Sequence, residues 1–177
     1  MTSARARKPG TEEELYEYAV GMLARRMRSV AELKRLLRRR VEGEGERAGI
    51  LVELVIRRLK DQNYLDDTRF ATAYASYRRD NQKFGQRRVI TDLKVKGVHA
   101  DVIAHAVSSS FGEIDEENQA REYLRRKRLE KPKNHKDVAR IFRQLLRAGF
   151  AAKTIFTILK QWDVDDEVMT ILEAEAE

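Results

Sequence analysis

Two stretches of this chain are copies of one another. VITDLKVKGVHADVIAHAV (Val89–Val107) lies without a gap on IFRQLLRAGFAAKTIFTIL (Ile141–Leu159), so that Val89 falls on Ile141, Leu93 on Leu145, Gly97 on Gly149, Ile103 on Ile155 and Val107 on Leu159. Upstream, LARR (Leu23–Arg26), SYRR (Ser76–Arg79) and YLRR (Tyr123–Arg126) each close a preceding apolar pattern. A repeated unit of this kind cannot bury its apolar face alone and must stack on its neighbours, which restricts the chain to a tandem array.

The repeated unit is helical. Leu15, Ala19, Met22 and Leu23 recur at spacings of three and four, as do Leu33, Leu36 and Leu37, then Leu51, Leu54, Val55 and Leu59. The habit continues through Phe70, Tyr74 and Tyr77, and again through Ile155, Ile158, Leu159 and Trp162. Spacings of three and four put these side chains on one helix face, and no segment alternates as a strand would. The expected fold is all-α: three tandem three-helix repeats at about 13–65, 66–114 and 115–162, forming an elongated, curved body, with a short acidic helix over 163–177. Residues 1–12 read as a disordered basic arm, VEGEGERAG (Val41–Gly49) as a mobile loop, and KPKNH (Lys131–His135) as a break between helices. Ser29-Val30-Ala31-Glu32 has the form of a capping box. Gly97 and Gly149 stand where a helix ends on a left-handed residue. By their spacing Tyr64, Phe70, Tyr74 and Tyr77 are expected mostly in the core.

Charge divides the chain unevenly. All 36 Lys and Arg precede Asp163, against 22 Asp and Glu, so residues 1–162 carry +14, while the last fifteen residues carry seven acids and no base. Such a body suits a polyanion or an acidic protein surface. No run approaches the roughly 18 apolar residues that span a bilayer, and the basic N-terminus lacks the apolar core of a secretory signal. Cysteine is absent, which removes disulfides and thiolate metal sites and fits a cytoplasmic protein. A monomer is expected, because no long apolar stripe is left over.

The segment QNYLDDTRF (Gln62–Phe70) carries Tyr-Leu-Asp-Asp, the form in which polymerases present paired carboxylates to magnesium. That chemistry needs a hairpin between strands, whereas helical patterns flank Asp66 and Asp67 on both sides. A carboxylate at a joint between helices caps free amides and meets the positive end of the helix dipole, worth about 0.5–2 kcal/mol. Both aspartates are therefore read as caps, and Asp163-Val164-Asp165-Asp166 as the same device before the last helix. His99, His105 and His135 lack ligand spacing. No glycine-rich loop precedes a Lys-Ser/Thr pair, and no nucleophile stands with a base. No catalytic residue, cofactor or metal is expected, and the pattern is that of a binding protein.

NYLDDTRFATAYASYRR followed by FGQRRVITDLKVKGV resembles the central signature of the RecX family, bacterial regulators of the RecA recombinase. The matching positions are Leu65, Asp66, Asp67, Arg69, Phe70, Ala71, Gly85, Ile90, Leu93, Lys96 and Gly97; upstream, GMLARRMRSVAEL resembles the family's opening element through Arg25, Ser29 and Leu33. The likeness spans roughly Glu13–Trp162 and is looser in the third unit. It implies a modulator without catalysis that binds RecA, lodges in the groove of its filament on single-stranded DNA, and inhibits its ATPase, strand-exchange and co-protease activities. Double-stranded DNA is a further partner by charge. A general basic helical DNA-binding protein that acts without RecA is the alternative.

The candidate contact surface is the set of arginine-crowded helix faces: Arg25, Arg26, Arg35, Arg38 and Arg39 in the first unit, Arg78, Arg79, Arg87, Arg88, Lys94 and Lys96 in the second, and Arg125, Arg126, Arg128 and Arg140 in the third. The pairs at 25–26, 78–79 and 125–126 are expected at regular intervals along one surface. The plainer reading is that such cations lie over the core or pair with nearby acids. Arg69 is expected to be buried, supporting the joint through the carboxylates before it.

Overall fold

A computed structural model describes residues 11–42 and 46–176. Among these residues the protein is all-α, with ten helices: α1 (Glu12–Arg25), α2 (Val30–Arg40), α3 (Glu46–Asp61), α4 (Asp67–Asp80), α5 (Gln86–Val95), α6 (Ala100–Phe111), α7 (Glu116–Arg126), α8 (His135–Ala148), α9 (Ala152–Gln161) and α10 (Asp166–Ala176).

The apolar spacings become three separate cores. Leu15, Leu33, Leu37, Val52, Leu59 and Leu65 are buried together by α1–α3 and the joint that follows. Phe70, Ala75, Val89, Leu93, Ile103 and Val107 fill the space between α4, α5 and α6. Tyr123, Phe142, Leu145, Phe150, Ile155 and Leu159 form the third core, and α10 closes it with Val168, Met169 and Leu172. Each fully buried Leu, Ile or Phe contributes about 1.5–3 kcal/mol, so each cluster holds its own helices together.

Helix ends follow capping chemistry. The Ser29 hydroxyl accepts from the Glu32 amide at 3.0 Å while the Glu32 carboxylate accepts from the Ser29 amide at 3.3 Å, so the box is closed in both directions. A carboxylate opens the second unit, the third unit and α10: Asp66 accepts from Thr68 and Arg69, Asp115 from Glu117 and Asn118, Asp165 from Glu167. Gly97 and Gly149 are left-handed, at φ +75° and +93°.

Some expectations change. The loop expected at Val41–Gly49 is shorter, because α3 already takes in Glu46–Gly49; residues 43–45 lie outside the described residues. The basic arm falls mostly on residues 1–10, also outside them, and Thr11 caps α1. Phe70 is core and Tyr74 half-buried, but Tyr64 and Tyr77 are 58 % and 54 % exposed. Spacing places a residue on a helix face; it does not say how far that face extends before the next helix covers it.

Candidate protein and nucleic-acid interface

The units meet at helix ends. At the first seam the N-terminus of α2 abuts the C-terminus of α5. Ser29 Oγ donates to the Lys96 carbonyl at 2.6 Å, Lys96 Nζ reaches Glu32 Oε1 at 3.0 Å, and Asp67 Oδ1 accepts from the Val30 amide at 2.8 Å. Asp66 and Asp67 are thus both caps, of two different helices: Asp66 serves α4, and Asp67 crosses to the first free amide of α2. Burial pushes the Asp67 carboxyl above its ordinary range against the opposing effect of the Val30 amide. Glu32 is also penalised by burial, but the Lys96 and Ser29 hydrogen bonds outweigh this and hold its carboxyl low.

The second seam repeats the geometry without the side chains. Gly85 caps α5 and has no side chain to do it with; its amide donates to the Ala148 carbonyl at 2.9 Å, and the Arg87 amide donates to the Gly149 carbonyl at 3.2 Å. The last carbonyls of α8 therefore satisfy the first amides of α5, the groups every helix leaves open. A Cβ on Gly85 would collide with the Gly149 carbonyl, and one on Gly149 with the backbone of Arg88. Phe84 bridges the units, its ring 5.9 Å from that of Tyr123, which in turn meets Phe150 at 5.8 Å.

This division of labour is open to test by substitution. Asp66→Ala is expected to cost about 0.5–2 kcal/mol through the lost α4 cap. Asp67→Ala is expected to cost about 1–3 kcal/mol by stranding the Val30 amide at the seam. Urea midpoints read both. Equal hydrogen-exchange behaviour of α2 in the two variants would contradict the separate assignments, since only Asp67 touches that helix.

The basic side chains do not form one uniform surface. Arg25, Arg35, Arg39, Arg87, Lys94, Arg126 and Arg128 are exposed and make no ion pair among the described residues. Arg26, Arg38, Arg88, Arg125 and Arg140 are also exposed but pair with Glu32, Glu53, Asp92, Glu122 and Asp137 respectively. Regular display of the arginine pairs fails at the middle one. Arg78 is drawn onto Asp92 and over the Phe84 ring at 4.5 Å, and Arg79 onto Asp80 and the Ser110 carbonyl. Lys96 is spent at the first seam. Arg69 is exposed, not buried, and donates to the Asn63 carbonyl at 2.5 Å rather than to a carboxylate.

Asp92 was no candidate in the sequence, yet it organises the second unit. It accepts from Tyr74 Oη at 3.1 Å, from Arg88 Nε at 3.0 Å and from Arg78. Burial is the largest reason that the Tyr74 hydroxyl is pushed up to about 12. The one signal available was its place among arginines at helical spacing.

Residues 66–107, covering α4, α5 and most of α6, match the family described as RecX, second three-helix domain. The chain is 33 % identical over 148 residues to the regulatory protein RecX of Chromobacterium violaceum, covering 84 % of this chain and 90 % of that one. The chain belongs to the RecX family. It is also 31 % identical to the regulatory protein RecX of Cronobacter sakazakii, covering 92 % of this chain and 100 % of that one. Relatives differ in length: against the regulatory protein RecX of Bacillus pumilus, 31 % identical, the alignment covers 82 % of this chain but 54 % of the other. The fold is that of solved RecX structures. One from Lactobacillus salivarius superposes with a TM-score of 0.63 at 19 % identity, covering 86 % of this chain and 96 % of that one.

The relatives are named as regulatory proteins, which sets this RecX chain among regulators. Its signature residues now have physical roles in this structure. Leu65 and Phe70 enter the first and second cores, Leu93 the second, and Asp67, Lys96 and Gly97 face α2 across the first seam. No described helix is long and apolar enough to cross a membrane.

Proposed function

We propose that this chain regulates homologous recombination and DNA repair by binding RecA and the groove of its single-stranded DNA filament, inhibiting ATP hydrolysis, strand exchange and co-protease activity. Membership of the RecX family carries this reading. The geometry supports it: three units, each with its own core, are joined through their helix ends, and exposed cations without an ion pair among the described residues occur in every unit. Such a body reaches across successive protomers of a polymer while its arginines lie near phosphates.

RecA's ATP hydrolysis on single-stranded DNA, with this protein titrated in, tests the proposal. Suppression well below one molecule per RecA is expected, because coating of DNA cannot act at that ratio. The +14 body favours one other reading, a general basic DNA-binding protein. That protein would leave hydrolysis unchanged until the DNA is saturated, and its binding would fall steeply with salt whether or not RecA is present.

A further inference from the structure

At the first seam, a cleft of about 290 Å³ opens between the end of α1 and the start of α4. Leu23, Met27, Tyr64 and Phe70 supply its apolar and aromatic walls, and Arg28 and Arg69 its cations. The cleft lies at the lower end of the roughly 300–1,000 Å³ range of ligand sites, room enough for a single planar base. Tyr64 is 58 % exposed and Met27 48 %. An aromatic ring and a thioether left this open to water beside two guanidinium groups are a poor solution for a core and a good one for a ligand with a flat face and a negative charge.

We propose that this cleft holds one unpaired base of single-stranded DNA, stacked on Tyr64, with the flanking phosphates on Arg28 and Arg69. The inference rests on the DNA-filament reading above and names a place where the strand is held. The ring is presented by a fixed turn. Asn63 is left-handed at φ 59°, the Tyr64 amide donates to the Leu59 carbonyl at 2.9 Å, and Arg69 holds the Asn63 carbonyl. Arg25, exposed and without an ion pair among the described residues, extends the positive charge along the end of α1. Asp66 also lines the cleft, but its Oδ1 is engaged by the Thr68 and Arg69 amides. Stacking on an aromatic ring beside arginines is sequence-tolerant, because every base has a flat face. The second joint has Glu113 two residues before its capping Asp115, where the first has Tyr64 two before Asp66, so the site is particular to the first seam.

The test compares binding of oligothymidylate with that of an abasic strand of equal length and equal phosphate count, by fluorescence anisotropy on the full chain. The wild type is expected to prefer thymidylate by about five- to a hundred-and-fiftyfold, the span of one base stacked on one ring. Tyr64→Ala is expected to bind both strands alike, at the abasic level and with an unchanged salt slope, while Tyr64→Phe keeps the preference. Tyr77→Ala, an equally exposed tyrosine elsewhere, is expected to change nothing. Equal binding of the two strands by the wild type overturns the proposal, as does a preference that survives Tyr64→Ala. Loss of RecA suppression in Tyr64→Ala with DNA preference intact would assign the cleft to a protein surface and also overturn it. Since RecA suppression is measured separately, either result leaves the regulator reading to stand or fall on its own titration.

Discussion

Gly149→Ala is expected to lower stability by about 2–5 kcal/mol and to uncouple the third unit from the second. Two costs combine. A left-handed residue with a side chain costs about 1–2 kcal/mol, and φ at Gly149 is +93°. The new Cβ also enters the backbone of Arg88, which lies in the first turn of α5 and cannot rotate aside as a side chain would. Overpacking of that kind costs about 1–3 kcal/mol. The three atoms nearest that Cβ all belong to Arg88 of the second unit, so the overpacking falls on the interface term of a tandem array, while the left-handed strain falls on the third unit's own turn. Calorimetry is expected to show the third unit melting ahead of the rest. Gly21→Ala is the control, since a Cβ there meets nothing within 4 Å and α1 gains a better helix former. A Gly149→Ala protein that melts like the wild type would refute the end-to-end contact of α5 and α8.

Phe142→Ala is expected to cost about 3–5 kcal/mol and to act within one unit. Phe142 is fully buried in the third core and packs on Phe156 with ring centroids 5.2 Å apart. It belongs to neither the first nor the second core. Hydrogen exchange is expected to show α7–α10 losing protection while α1–α3 keep theirs. Uniform loss across all ten helices would mean that the three cores fold as one. The pair of variants separates two contributions that a single melting temperature merges: the strength of a unit and the strength of a joint.

The fold was legible wherever the cause is local. The capping box at Ser29, the left-handed glycines and the helix faces follow from bonds and contacts within a few residues, and each is present. The register of Val89–Val107 on Ile141–Leu159 likewise foretold that α5 and α6 repeat as α8 and α9. What escaped depended on partners far along the chain. Nothing around Asp67 says that its carboxylate will cap a helix thirty-seven residues earlier while Asp66 caps its own. Arg78 and Arg79 look like Arg25 and Arg26 in sequence; the difference is made by Asp92 and by the Ser110 carbonyl, which only folding brings near. Tyr64 is expected in the core by its spacing. It is exposed because the left-handed turn at Asn63 carries it outward. The candidate interface was accordingly less readable than the scaffold, since surface depends on which cations the neighbouring units have already taken.

The two seams share a geometry but are held by different kinds of bond. The first depends on Ser29, Glu32, Asp67 and Lys96, three of them ionisable; the second on main-chain groups and on Phe84, Tyr123 and Phe150. Ionic strength and acidity act on charges and leave a backbone-and-aromatic contact almost untouched. The two joints are therefore expected to answer differently to their surroundings: salt and acid loosen the first and leave the second much as it is. The charge-held joint is also the one beside the cleft that Tyr64 opens to solvent, so conditions that loosen that seam act next to the proposed base site.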